Sequence, residues 1–126
     1  MQALKVRTSR KDQVVDITPE VQAALEAADG LCTVFAAHTT CAVTTADVDP
    51  GTDLDYLEAL RKLLPAIRYR HPHDPSHTPD HILATLIGPS VSVPVAGGKL
   101  VLGTWQRIVL IEFDGPRERE VYVSVR

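Results

Sequence analysis

Apolar and polar residues alternate at the start of the chain, where Leu4 and Val6 of "ALKVRTS" stand beside Lys5 and Arg7. A period of two predicts a half-buried strand, and "QVVDI" predicts a second. The period then lengthens. In "TPEVQAALEAAD", Val21, Leu25 and Ala28 share one helical face, Thr18 is placed to cap, Pro19 suits the first helical position, Glu20 complements the dipole, and Gly30 ends the helix. "LCTVFAAHTTCAVTTAD" is rich in β-branched residues and too long for one flat strand, so it predicts two strands with a break around His38. "DPGTDLDYLEALRKLL" predicts a second helix capped by Asp49 or Thr52, with Leu54, Leu57, Leu60 and Leu64 as its buried stripe, disrupted at Pro65. Residues 66–77 read as irregular. Thr78-Pro79 repeats the cap-plus-proline pattern and starts a short helix, "DHILATLIG", closed by Gly88. The remainder reads as strands: "SVSVPV", a turn at "AGGK", "LVLGTWQRIVLIEF", a turn at "DGPRE", and "REVYVSVR".

Strands dominate and three helices interrupt them without βαβ alternation. The pattern predicts an α+β fold, mainly antiparallel sheet, in a single domain over residues 1–126. A chain of this length buries roughly two-thirds of its unfolded surface, enough for one core. A net charge of −3 and scattered Lys and Arg argue against nucleic-acid binding, which needs a dense basic patch. No apolar run is long enough to span a membrane, and "MQALKVRTSRKD" lacks the apolar stretch of a signal peptide, so the expected compartment is the cytoplasm. Cys32 and Cys41 read as small buried thiols on strands.

Four of the five histidines fall in "HPHDPSHTPDH", residues 71–81, and the fifth is His38. Imidazole is a common ligand for zinc and similar ions, and a catalytic metal site combines three protein ligands with one open position. His38 and the 71–81 stretch have the residues for such a set. The same stretch also reads as a solvated Pro/His/Asp loop, and His38 as a core histidine bonded to backbone. His77 and His81 are four apart, but Pro79 separates them. With Thr78 as cap, His77 precedes the helix and His81 lies in its first turn, where the dipole favours a neutral ring.

"LGTWQRIVLIEFDGPRERE" is the other unusual segment. Gly103 permits a close approach, Trp105 follows it, and Gln106 adds a donor and an acceptor. Glu112 and Asp114 share a strand face with Ile108 and Leu110. Arg117 offers a planar fork of donors for carboxylate or phosphate, or pairs with Glu112 or Asp114.

"HTTCAVT" followed by "DVDP", then "YRH", "DHILATLIGPSVSVPV" and "GKLVLGTWQRIVLIEFDGPRERE", resembles the YjbQ-like family, often called the secondary thiamine-phosphate synthase family. The resemblance runs in order over nearly the whole chain. It implies an α+β homotrimer with a site between subunits, lined by His38, His71 and His81. The family often has Asn or another small polar residue where His77 stands, and His73 is extra here. It usually has Ala or Ser at the place of Cys41, which therefore receives no role.

The resemblance also implies displacement of pyrophosphate from an aminopyrimidine methyl carbon by a thiazole nitrogen. That reaction needs donors for the leaving group. Arg117, Gln106, the backbone at Thr39 and Thr40, and the amides of Gly88–Ser90 are the candidates, with Trp105 beside the substrate. Magnesium is the usual pyrophosphate partner and takes oxygen ligands, whereas His38, His71 and His81 suit a zinc-like ion. The synthase step is accordingly expected as a secondary activity. The expected native substrate is a small phosphorylated or anionic molecule, with His38 or His81 as general base and Gln106, Glu112 and Arg117 assisting. The alternative is a non-enzymatic trimer that binds a metal or small anion in a closed site.

Overall fold

The structure is a computed structural model that describes residues 1–126. Its elements run β1 (Gln2–Arg7), β2 (Gln13–Asp16), α1 (Thr18–Ala23), β3 (Gly30–Ala36), β4 (Cys41–Ala46), α2 (Thr52–Leu63), a 3-10 turn at Pro75–His77, α3 (Thr78–Ile87), β5 (Ser90–Ala96), β6 (Lys99–Leu100), β7 (Arg107–Glu112) and β8 (Glu118–Val125). All strand pairs are antiparallel. They form one five-stranded sheet, β1-β8-β3-β5-β6, and one three-stranded sheet, β2-β7-β4.

Alternation along the strands sets the layering. Cys32, Val34 and Ala36 of β3, Val93 and Val95 of β5, and Val121 and Val123 of β8 point inward from the larger sheet. They meet Cys41, Val43, Ile108 and Leu110 from one face of the smaller sheet, and Ile17 and Val21 from around α1 close that core. Ala42, Val109, Ile111 and Phe113 form the opposite face of the smaller sheet and pack on Leu83 and Ala84 of α3. Leu57 and Leu60 of α2, and Leu64 just beyond it, add half-buried cover. The order of layers is sheet, sheet, helices, and β7 is buried on both faces from Ile108 to Glu112. Burying one large aliphatic side chain stabilises by about 1.5–3 kcal/mol, so β7 is the strand the fold depends on most. The outer face of the larger sheet carries no helix. Leu31 and Phe35 stand exposed on its central strand.

Several element boundaries differ from those predicted. Thr18 is the first residue of α1 and not its cap. Asp16 accepts the Thr18 N–H at 2.9 Å, and the Thr18 hydroxyl is taken by the Ile108 N–H at 2.8 Å. α1 stops at Ala23, and the chain beyond it is tied to the turn between β5 and β6: Gly98 N–H donates to Ala28 O and Gly97 N–H to the Asp29 carboxylate. Gly30 opens β3 instead of ending a helix. At its positive φ, a Cβ would lie 2.5 Å from Arg126 O. Neither Asp49 nor Thr52 caps α2 through its side chain, since Gly51 takes that position in a left-handed conformation. Leu54 is 57% exposed and lies outside the stripe that packs on the second core. Thr78 likewise begins α3 from inside, and its hydroxyl is buried without a partner. The span 100–113 is not one strand. Gln106 N–H donates to Gly103 O while the Gln106 side chain accepts the Gly103 N–H at 3.0 Å, which closes a turn before β7.

Candidate functional site

Three segments meet at one end of the sheets: the bend from Ala37 to Thr40 between β3 and β4, the turn from Asp114 to Arg117 between β7 and β8, and the first turn of α3 at His81. Between them lies an open cleft of about 700 Å³, walled by His38, Thr39, Thr40, His81, Asp114 and the arginines 117 and 119. A smaller cleft of about 360 Å³ adjoins it and shares His38, Thr39 and His81.

Each side chain arrives by a definite route. The central strand β3 ends at Ala36, and Ala37 N–H donates to Glu120 O, so the bend is tied to β8 before it turns. His38 follows. Its Nε2 accepts the Glu120 N–H at 2.7 Å, which selects the neutral tautomer with the proton on Nδ1. Burial, and then the positive charge of Arg119, hold the imidazole below its ordinary pKa, with Glu112 and Glu120 opposing. His38 is therefore a donor through Nδ1. The backbone N–H groups of His38, Thr39 and Thr40 have no acceptor within the chain.

Beneath the cleft is a buried ion pair. Glu112, at the end of β7, is 0% exposed, and Arg119, on the inward face of β8, is 3% exposed. Arg119 Nε donates to one Glu112 oxygen at 2.9 Å and its Nη2 donates to the other. The same Nη2 donates to the Thr40 hydroxyl at 2.8 Å and to Thr40 O at 3.2 Å. Glu112 also accepts from the Thr8 hydroxyl at 2.8 Å and from Asp114 N–H at 3.2 Å. The Arg117 N–H donates to that Thr8 oxygen at 2.9 Å. Both walls of the cleft thus hang on one charge pair. Gly115 lies so close that a Cβ there would meet Glu112 Cγ at 2.8 Å and Thr8 Oγ1 at 2.9 Å, so only glycine lets the turn settle onto the network.

Arg117 resolves between its two anticipated partners. Its side chain bonds Asp114 alone, through Nε to the carbonyl and Nη2 to the carboxylate, at 2.8 and 2.9 Å, and about half of that side chain stays in solvent. Burial opposes ionisation of Asp114, but this arginine outweighs it and keeps the carboxyl below its ordinary value. Arg117 Nη1 remains without an acceptor in the chain.

His81 is placed by its neighbour. Asp80 is buried and accepts from Lys11 Nζ at 2.9 Å and Arg61 Nη1 at 2.7 Å. Arg61 also grips Asp12 and Phe113 O, so α2, α3, the β1–β2 loop and the end of β7 converge on the start of α3.

Of the residues singled out from sequence, His38, Thr39, Thr40, His81 and Arg117 come together, with Glu112 under them. His71 stacks on His81 with centroids 5.0 Å apart and planes 14° apart, outside the walls of the cleft. His73 lies 6.2 Å from His71 by centroid, and His77 pairs with Asp74 at 3.3 Å. Ser90 begins β5 opposite Phe35 and does not line the cleft. Gln106 donates to Thr45 Oγ1 at 3.0 Å and faces another cleft beside Thr18 and Gln22. Trp105 stands 70% exposed at the tip of its turn. Sequence reasoning missed Arg119 and Thr8. The signal for Arg119 was its spacing, two residues before Val121 and four before Val123, which places a charge on an inward face where it needs a partner.

The donor set does not form a ready centre for a zinc-like ion. Within one chain, no three His, Cys, Asp or Glu side chains gather in a metal-binding arrangement. His38 Nε2 is already engaged, and nearly parallel stacked rings aim the in-plane lone pairs of His71 and His81 alongside each other, away from a common point. A His38–His71–His81 centre is therefore not preformed in the single chain, and no magnesium-type cluster of carboxylates gathers either.

Fold and cleft together define an α+β protein of two stacked antiparallel sheets, with a polar histidine- and arginine-walled site at the strand ends. The model of the UPF0047, YjbQ-like proteins matches residues 2–126, and the chain belongs to that family. It is 45% identical over 122 residues to a UPF0047 protein of Archaeoglobus fulgidus, covering 96% of this chain and 97% of that one. It is 33% identical over 129 residues to YugU of Bacillus subtilis, covering 99% and 98%. The crystal structure of a YjbQ/UPF0047 family protein from Clostridium acetobutylicum superposes with a TM-score of 0.90 at 38% identity, covering all of both chains. No helix is long and apolar enough to cross a membrane.

Proposed function

We propose that the cleft binds a small phosphorylated or otherwise anionic substrate and carries out proton-transfer chemistry on it. The observation that carries this reading is that donors without a partner in the chain, His38 Nδ1–H, the N–H groups of Thr39 and Thr40, and Arg117 Nη1, all belong to residues that line one cleft. Preorganised donors of this kind stabilise charge that develops on phosphate or on a leaving pyrophosphate. His81, on the facing wall, is the general acid or base, since imidazole is the side chain most used for that task. His38 is the neutral donor, held so by Glu120 N–H. The thiamine-phosphate-synthase-like step fits here as a secondary activity, with Arg117 and the Thr39–Thr40 amides receiving the pyrophosphate.

The assembly we propose is the homotrimer that the family resemblance implies. The bare outer face of the five-stranded sheet, with Leu31 and Phe35 at its centre, supports self-association.

Calorimetric titration with inorganic phosphate and pyrophosphate tests the anion site. Saturable binding is expected, and Arg117→Ala should weaken it by about tenfold, the loss of one charge-assisted contact. Equal affinity in wild type and Arg117→Ala would remove the cleft from the reading. A non-enzymatic anion binder gives the same titration. The enzyme is told apart by turnover of phosphorylated compounds that His81→Ala abolishes while phosphate binding survives.

A further inference from the structure

The two adjoining clefts differ in chemistry. The larger one has Asp114, Arg117, Glu118 and Arg119 in its walls. The smaller one has no formally charged side chain: beyond the shared His38, Thr39 and His81 it is lined by Cys41, Ala84, Thr85 and Pro89. Cys41 and Ala84 are buried members of the two cores, and burial pushes the Cys41 thiol up to about 11, so it stays neutral. The imidazoles stand on the border between a charged compartment and an uncharged one.

We infer that the substrate is two-ended: an anionic head in the charged cleft, joined to an uncharged, largely apolar moiety that fills the cleft lined by Cys41, Ala84, Thr85 and Pro89. This deepens the proposed function and rests on its anion site. Continuity is the argument for one occupant. His38, Thr39 and His81 line both spaces, so a molecule that contacts the Thr39 amide with its head has its body within reach of Pro89 and Ala84. A space of about 360 Å³ admits a single ring with its substituents, and its walls offer little to a second charge. The arrangement also puts the bond between head and body beside His38 and His81, where proton transfer to an ester or leaving-group oxygen is needed. Free phosphate uses only half of the site.

Competition between methyl phosphate and phenyl phosphate tests the inference without any variant, because the two monoesters carry the same charged head and differ in body. Phenyl phosphate is expected to bind about tenfold or more tightly, from the apolar area the ring buries. Thr85→Trp fills the smaller cleft from the exposed side of α3. It should erase that preference and leave the affinity for methyl phosphate unchanged. Equal affinity of the two esters for the wild-type protein overturns the inference while the anion site stands. A preference that survives in Thr85→Trp places the ring elsewhere and overturns it as well. If neither ester nor inorganic phosphate binds, the proposed function fails, and the two-ended substrate fails with it.

Discussion

Arg119 carries more of this site than any residue that faces solvent. A buried guanidinium is costly unless its donors are satisfied, and here Glu112 and Thr40 take them. The pair fixes Thr40, and through Thr8 and Asp114 it fixes the opposite wall. Its charge also helps hold His38 neutral. Arg119→Met should therefore act twice. It leaves Glu112 buried and uncompensated, with an expected loss of about 3–5 kcal/mol in urea denaturation. It also frees the Thr39–Thr40 bend, which should show as weaker phosphate binding in the protein that remains folded. A change in stability within experimental error would show that the Arg119–Glu112 pair contributes no net stability.

Among the elements, α3 is the one whose placement matters to the site. It is short and begins without a side-chain cap, yet its first turn must hold His81 against the cleft. Asp80 does this from the buried side by tying α3 to Lys11 and to Arg61 of α2. Hydrogen bonds to charged groups contribute about 1.5–3 kcal/mol each. Asp80→Asn keeps the shape and removes the charge, so thermal or urea denaturation should report a loss of about 2–3 kcal/mol. The His81 ring resonances should shift with it, because the stack on His71 is set by the same turn. Unmoved His81 resonances would show that the helix is held by Leu83 and Ala84 packing alone.

At the scale of the whole molecule, the layer order leaves one sheet face bare, and a central strand with exposed Leu31 and Phe35 is a surface that invites cover. The proposed homotrimer predicts a light-scattering mass three times the chain mass of 13.7 kDa. Phe35→Glu should lower that mass toward the single chain without unfolding it, since the side chain points away from both cores. A wild-type mass of 13.7 kDa would leave the sheet face to another partner.

Much of this was legible in the chain. Alternation marked β1, β-branched runs marked β3 and β4, the break at His38 fell where the bend is, and Pro79 marked the start of α3, because backbone sterics and alternation are local properties. His38, Thr39, Thr40, His81 and Arg117 could be singled out by residue type and motif. Local rules failed where distant groups compete for the same atoms. Thr18 looked like a cap, but Ile108 claims its hydroxyl. Residues 24–29 looked helical, but the chain leaves the helix after Ala23, and Ala28 and Asp29 bond Gly98 and Gly97 across the fold. Trp105 and Gln106 looked like part of the site, but the Gly103–Gln106 turn carries Gln106 to another cleft and leaves Trp105 in solvent. What the sequence by itself determined is the set of strands and helices and the side-chain types available for chemistry. Only the tertiary structure decided which of those side chains meet, since Arg119 finds Thr40 across 79 positions and Glu112 finds Thr8 across 104. Pairings over such separations are set by how the sheets stack, which no local pattern encodes.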